Sequence, residues 1–125
     1  MEPRDVARVY GAGRAGLGAA LLIAPRGLGR IWLGRPGGGP AGSVAMRALG
    51  VRDLVLGAIV LHTLDHPEVA PRWQRTCAAV DAVDLVATAA ARHALPRVGS
   101  ALVMALAGAG AGVGAWLGGA PRSGA

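Results

Sequence analysis

Met46-Arg47-Ala48-Leu49-Gly50-Val51-Arg52-Asp53-Leu54-Val55-Leu56-Gly57-Ala58-Ile59-Val60-Leu61 decides how this chain is read. The run is apolar enough to sit in a bilayer, yet it carries two arginines and an aspartate. A charge near the bilayer centre costs roughly 2.5–3.5 kcal/mol on insertion scales, so such residues face a protein interior and pair there. Residues one apart on a helix point about 100° away from each other, so Arg52 and Asp53 are not expected to pair simply with one another. Asp53 shares a face with Gly50 and Gly57, where a neighbouring helix can come close. Arg47, near the start of the run, is placed to snorkel toward the interface or to join the inward charges.

The composition agrees with a membrane setting. The chain of 125 residues has room for one domain, is 53% hydrophobic and only 16% charged, whereas soluble domains sit near ~25% charged. Its 21 glycines bury little apolar area but let helix backbones approach closely. The net charge of +6 comes from 13 arginines with no lysine. These are scattered between apolar runs, with no basic stripe and little aromatic interleaving, so they suit membrane interfaces better than nucleic acid. The single Cys77 cannot form an intrachain disulfide.

Working outward, four spans emerge at about 6–24, 44–63, 73–92 and 98–119. In the first, Tyr10, Arg14, Gly18 and Leu21 recur at helical spacing, which turns Arg14 inward. A signal peptide fits poorly, because Arg14 interrupts the apolar region and Pro25-Arg26 offers no small-x-small cleavage site. Arg26, Arg30 and Arg35 surround Ile31-Trp32-Leu33 as a short interfacial segment, and Gly37-Gly38-Gly39-Pro40 reads as a loop, with Ser43 capping the next helix. In the third span, Cys77, Asp81, Asp84, Thr88 and Arg92 form one polar stripe on an Ala/Val/Leu helix. Residues 98–119 carry no charge and pass the transmembrane length test unaided. Their Gly108/Gly112 and Gly110/Gly114 pairs suit close helix packing. Pro121 to Ala125 reads as a frayed tail. The arginines balance five against five across the two faces, so orientation does not resolve.

Two motifs compete with this reading. Gly11-Ala12-Gly13-Arg14-Ala15-Gly16 fits G-x-G-x-x-G, the opening of a dinucleotide-binding unit, which would make this a soluble nucleotide-binding protein. The motif needs a preceding buried strand, where Arg8 would lie, and an acid some 20 residues on, whereas residues 27–43 hold no Asp or Glu. His62 and His66 are at i, i+4 and could share a metal, but Pro67 breaks the helix beside them. No cofactor and no metal are expected.

The run Arg47-Ala-Leu-Gly50-Val-Arg52-Asp53-Leu-Val-Leu-Gly57, with Arg14 upstream and Asp81-Ala-Val-Asp84 downstream, resembles a family of small, mostly actinobacterial, four-span membrane proteins of undefined function. The resemblance covers roughly residues 6–118. It implies a membrane location and a four-helix bundle, and no activity.

The expected architecture is all-α: a four-helix transmembrane bundle with a short interfacial segment after the first span, multi-pass in the cell membrane. Arg14, Arg47 and Arg52 face Asp53, Asp81 and Asp84, three of each sign, as an inward network in which Thr88 shares the stripe. Gly50, Gly57, Gly108, Gly110, Gly112 and Gly114 serve helix packing. The partners are the lipid bilayer and, through the glycine faces of span four, a second copy or another membrane protein, with no nucleic acid. The leading function is a structural, accessory or self-associating bundle. The alternative is transport or proton handling through Arg52, Asp53, Asp81 and Asp84. No nucleophile–base order supports an enzyme.

Overall fold

The computed structural model describes residues 1–120. Prolines set where the helices begin. Pro3, Pro25 and Pro40 open α1 (Pro3–Ile23), α2 (Pro25–Leu33) and α3 (Pro40–His62), Pro71 stands in the first turn of α4 (Ala70–Ala91), and Pro96 precedes α5 (Arg97–Gly119). A first-turn proline loses no hydrogen bond, because its missing N–H would have had no helical partner. Among the described residues there is no strand. The fold is therefore all-α, with four helices of 21–23 residues and the nine-residue α2. One of them, α5, is long and apolar enough to cross a membrane by length and composition.

The expected spans match these helices to within a few residues, but two local expectations fail. Ser43 does not cap: α3 begins earlier, after Gly39, and Ser43 is buried within it. The glycine loop is a tight 3-10 turn over Arg35–Gly38. The segment around Trp32 is a helix, closed by Gly34 at φ 74, a left-handed conformation in which only glycine is free of steric cost. The expected tail, 121–125, lies outside the described residues.

Packing proceeds in two pairs. Helix α1 lies on α3, and α4 lies on α5, while contacts between the pairs are sparse. The first pair is antiparallel and meets glycine to glycine. A side chain at Gly18 would run into the α3 backbone at Gly50 and Leu54, and a Cβ at Gly50 would lie 2.8 Å from the Gly18 carbonyl. Seven residues along, a Cβ at Gly57 would lie 2.7 Å from the Gly11 carbonyl. In the second pair Gly110 sits against Asp81, Gly114 against Gln74 and Ala78, and Gly118 against Arg75, whose Nε donates to the Gly118 carbonyl at 3.1 Å. Gly112 meets nothing within 4 Å and Gly108 only Leu85 at 3.9 Å. Of the two expected small-residue pairs, Gly110/Gly114 therefore packs and Gly108/Gly112 does not. Helix α2 and its turn close one end of the bundle, with Gly29 on Gly37 and Gly99 of α5 on Ile31.

The two kinds of glycine predict opposite outcomes. Gly18→Ala forces α1 and α3 apart and lowers stability by about 1–3 kcal/mol. Gly112→Ala adds a methyl in open space and raises stability by up to about 1 kcal/mol through helix propensity. Thermal denaturation of the two purified variants beside the parent checks both signs.

Candidate functional site

The residues that expose least surface include charged ones. Arg14, Asp53 and Asp81 are 8%, 6% and 7% exposed, near the midpoints of α1, α3 and α4. Each reaches its place through helical spacing. On α1, Gly11, Arg14 and Gly18 are at i, i+3 and i+7; on α3, Gly50, Asp53 and Gly57 repeat that spacing. Residues so spaced share a face. The antiparallel pairing of the two stripes sets Gly11 by Gly57 and Gly18 by Gly50, so Arg14 and Asp53 meet between them.

The guanidinium of Arg14 donates from Nη1 to Asp81 Oδ2 at 2.7 Å and from Nη2 to Asp53 Oδ1 at 3.1 Å. It thereby ties α1 to both α3 and α4. Arg52 forks onto Asp84, Nη1 to Oδ1 at 3.1 Å and Nη2 to Oδ2 at 2.6 Å. This is the planar two-bond geometry that makes arginine–carboxylate pairs strong. The Tyr10 hydroxyl lies 3.1 Å from Asp81 Oδ2 and 3.2 Å from the Gly110 carbonyl, and accepts from Arg14 Nη1 at 3.3 Å. Its one proton serves the first two acceptors and brings α5 into the network. Gly110 lacks the Cβ that would collide with Asp81 Oδ2.

Of the expected network, Arg14, Arg52, Asp53, Asp81 and Asp84 come together and two members do not. Arg47 is exposed and forms no ion pair among the described residues. It follows buried Met46 by one residue, about 100° around the helix from the Met46, Gly50, Asp53 and Gly57 stripe, and so turns outward. Thr88 is 3% exposed but makes no hydrogen bond to the charges. Arg52 and Asp53 do touch, with Nε and Nη2 each 3.3 Å from Oδ1, because an arginine stem is long enough to curl around the helix toward its neighbour. Tyr10 is the member that charge counting overlooked; its spacing of four from Arg14 was the available signal. The resulting charge balance is not three against three. Arg14 and Arg52 face Asp53, Asp81 and Asp84, one negative charge in excess.

The network forms the floor of a cleft of about 480 Å³ that runs along the α1–α5 side, where those two helices touch little. The walls are apolar side chains such as Val9, Leu17, Leu21, Val103 and Leu106, and Trp32 closes one end. The hydrogen bonds to Asp53 all end on Oδ1 and those to Asp81 all end on Oδ2. Asp53 Oδ2 and Asp81 Oδ1 thus have no partner among the described residues.

The other candidate sites separate from this one. The Gly11–Gly16 stretch lies inside α1, where backbone amides serve the helix rather than a phosphate. His62 and His66 stack with ring centroids 5.0 Å apart, His66 beside Glu68 at 3.5 Å; both are exposed and no third ligand joins them among the described residues. Comparison with protein-family models, with curated proteins and with solved structures returns no match.

Removing one partner of a buried ion pair leaves the other charge unpaired and costs about 3–5 kcal/mol. Arg14→Ala, which strands two aspartates, is expected to fall at or beyond that range. Arg52→Ala and Asp84→Ala share one interaction, so the double variant should be more stable than their summed losses imply, by about 1–3 kcal/mol. Chemical denaturation of the two singles and the double checks the coupling; strict additivity would count against it.

Proposed function

We propose that the chain is a small integral membrane protein whose four long helices all span the bilayer, acting as a non-enzymatic bundle. The observation that carries this reading is the inverted distribution of side chains. Among the described residues, eight polar or charged side chains are buried beside eight apolar ones, and the latter are mostly small or medium-sized. Large apolar side chains lie outside instead: Ile23 is 84% exposed, Val98 81%, Val44 70%, and Val83 and Val86 67% each. In water such a surface is an aggregation liability, whereas in lipid it is the contact surface. Length agrees, since helices of 21–23 residues reach about 31–35 Å at 1.5 Å per residue, against a hydrocarbon core of ~30 Å.

Only α5 is apolar enough by composition, since α1, α3 and α4 carry the charges of the network together with the exposed Arg8, Arg47 and Arg75. A window average counts Arg14 or Asp81 as polar wherever it points. Inside the bundle those groups meet each other rather than lipid, the arrangement expected of intramembrane ionisable residues. The unfilled Gly108/Gly112 flank of α5 gives a second copy or another membrane protein a place to pack.

The three-to-two charge count favours proton handling as a second reading. A buried cluster with one surplus carboxylate approaches neutrality by taking up one proton. Four short helices nevertheless leave little room for a continuous pathway within one copy.

Carbonate extraction of membranes from cells expressing a tagged chain tests the leading reading. The protein should remain in the pellet and need detergent for release; recovery in the supernatant would end it. For the second reading, proton flux into proteoliposomes should fall at least about tenfold in Asp84→Asn, while flux unchanged by that variant and by Asp81→Asn would remove the idea.

A further inference from the structure

The cleft between α1 and α5 combines three features that together specify a ligand. Its volume of about 480 Å³ falls within the range of small-molecule sites, ~300–1,000 Å³. Its walls are apolar along most of the length of α1, from Val6 and Val9 through Leu17 to Leu21. Its floor is charged: Asp53 Oδ2 and Asp81 Oδ1 accept no hydrogen bond among the described residues, and Arg14 Nε and Trp32 Nε1 are buried donors without a partner. Asp53 and Asp81 line the cleft with side chains 8% and 10% exposed, and each has one carboxylate oxygen with no partner among the described residues. Adjacent nitrogens of one guanidinium hold the two carboxylates side by side.

We infer that this cleft binds a lipophilic primary ammonium, its hydrocarbon chain along the α1–α5 walls and its –NH3⁺ on Asp53 and Asp81. The charge count selects the sign, because one cation brings the floor of two arginines and three aspartates to neutrality. An anionic head would deepen an existing imbalance in a poorly hydrated site. The free oxygens select the head further. A primary ammonium carries three N–H donors, whereas a quaternary ammonium has the charge but no donor, and an alcohol has one donor but no charge. A bare metal cation leaves the apolar walls unfilled. The floor lies near the helix midpoints, so a phospholipid, whose head sits at the membrane surface, does not fit the depth.

The inference rests on the membrane reading for where the ligand comes from and for the exclusion of a phospholipid, and its test is independent of extraction. The full chain in maltoside micelles is titrated with dodecylamine, dodecyltrimethylammonium, dodecanol or dodecanoate, and unfolding is followed by tryptophan fluorescence, for which Trp32 lines the cleft. Dodecylamine alone is expected to raise Tm by about 10 °C at a hundredfold excess over its Kd. Asp81→Asn should abolish the rise. Because that variant can also weaken the bundle, Gly13→Leu provides the cleaner control. Gly13 lines the cleft and has no atom within 4 Å of its missing Cβ, so a side chain can be added there without removing any group of the network. Gly13→Leu should keep the parental helical circular dichroism and lose the dodecylamine response. A rise equal for dodecylamine and dodecyltrimethylammonium, a response undiminished in Gly13→Leu, or no rise at all overturns the proposal. A chain that stays in the carbonate pellet yet fails this titration overturns the ligand and leaves the membrane reading standing.

Discussion

A guanidinium buried at the middle of a helix must be met by carboxylates, and in this molecule that need organises everything else. Arg14 meets Asp53 on α3 and Asp81 on α4, while Tyr10, one turn away, meets the carbonyl of Gly110 on α5. A single turn of α1 therefore touches all three other long helices. Such pairs add little net stability compared with well-packed apolar residues, because both partners lose water. Their effect here is on geometry: a rotation or slip of α1, α3 or α4 would leave a charge unpaired. The glycines make the meeting feasible. Gly11 and Gly18 flank Arg14 as Gly57 and Gly50 flank Asp53, and the backbones close until carbonyl oxygens stand where side chains would be.

The same constraint explains why hydropathy and architecture diverge. A bundle that gathers its charges inside must carry them on helices that are otherwise apolar, so three of the four long helices look only moderately hydrophobic by average. Their outer faces carry valine, leucine and isoleucine. Helix α5 contributes to the network only through a backbone carbonyl and so needs no charged side chain, which is why it alone reads as a span by composition.

Specificity of packing has a cost on the opposite flank. Helices α1 and α3 approach closely, as do α4 and α5, but the flank where α1 faces α5 stays open above the charged floor. Tyr10 and Gly110 bridge it at one level. The resulting cleft joins apolar walls to carboxylate oxygens without partners, and the surplus negative charge lies at its base. Structural and recognition roles therefore meet on the same residues: Arg14 anchors Asp53 and Asp81, each of which retains one oxygen without a partner among the described residues, whereas Asp84 spends both oxygens on Arg52.

Much of this was legible in the residues alone. Prolines and apolar runs marked the four long helices to within a few positions, and helical spacing turned Arg14, Asp53, Asp81 and Asp84 to inward faces. Spacing within one helix is local information, fixed by 3.6 residues per turn. What the tertiary structure decided was which faces meet. The matching Gly11/Arg14/Gly18 and Gly50/Asp53/Gly57 stripes were present in the sequence, but their antiparallel register emerges only when the two helices are set together. So does the exclusion of Arg47, which lies on the same apolar run as Arg52 but turns outward, and the curl of Arg52 back to Asp53, which depends on side-chain reach rather than spacing. The choice of Gly110 and Gly114 over Gly108 and Gly112 has the same origin: one face of α5 lies against α4 and the other does not. The sequence determined the helices and that they hide charges of both signs; the pairing of charges, their two-to-three balance and the open cleft above them required distances between helices, which no single stretch of chain contains.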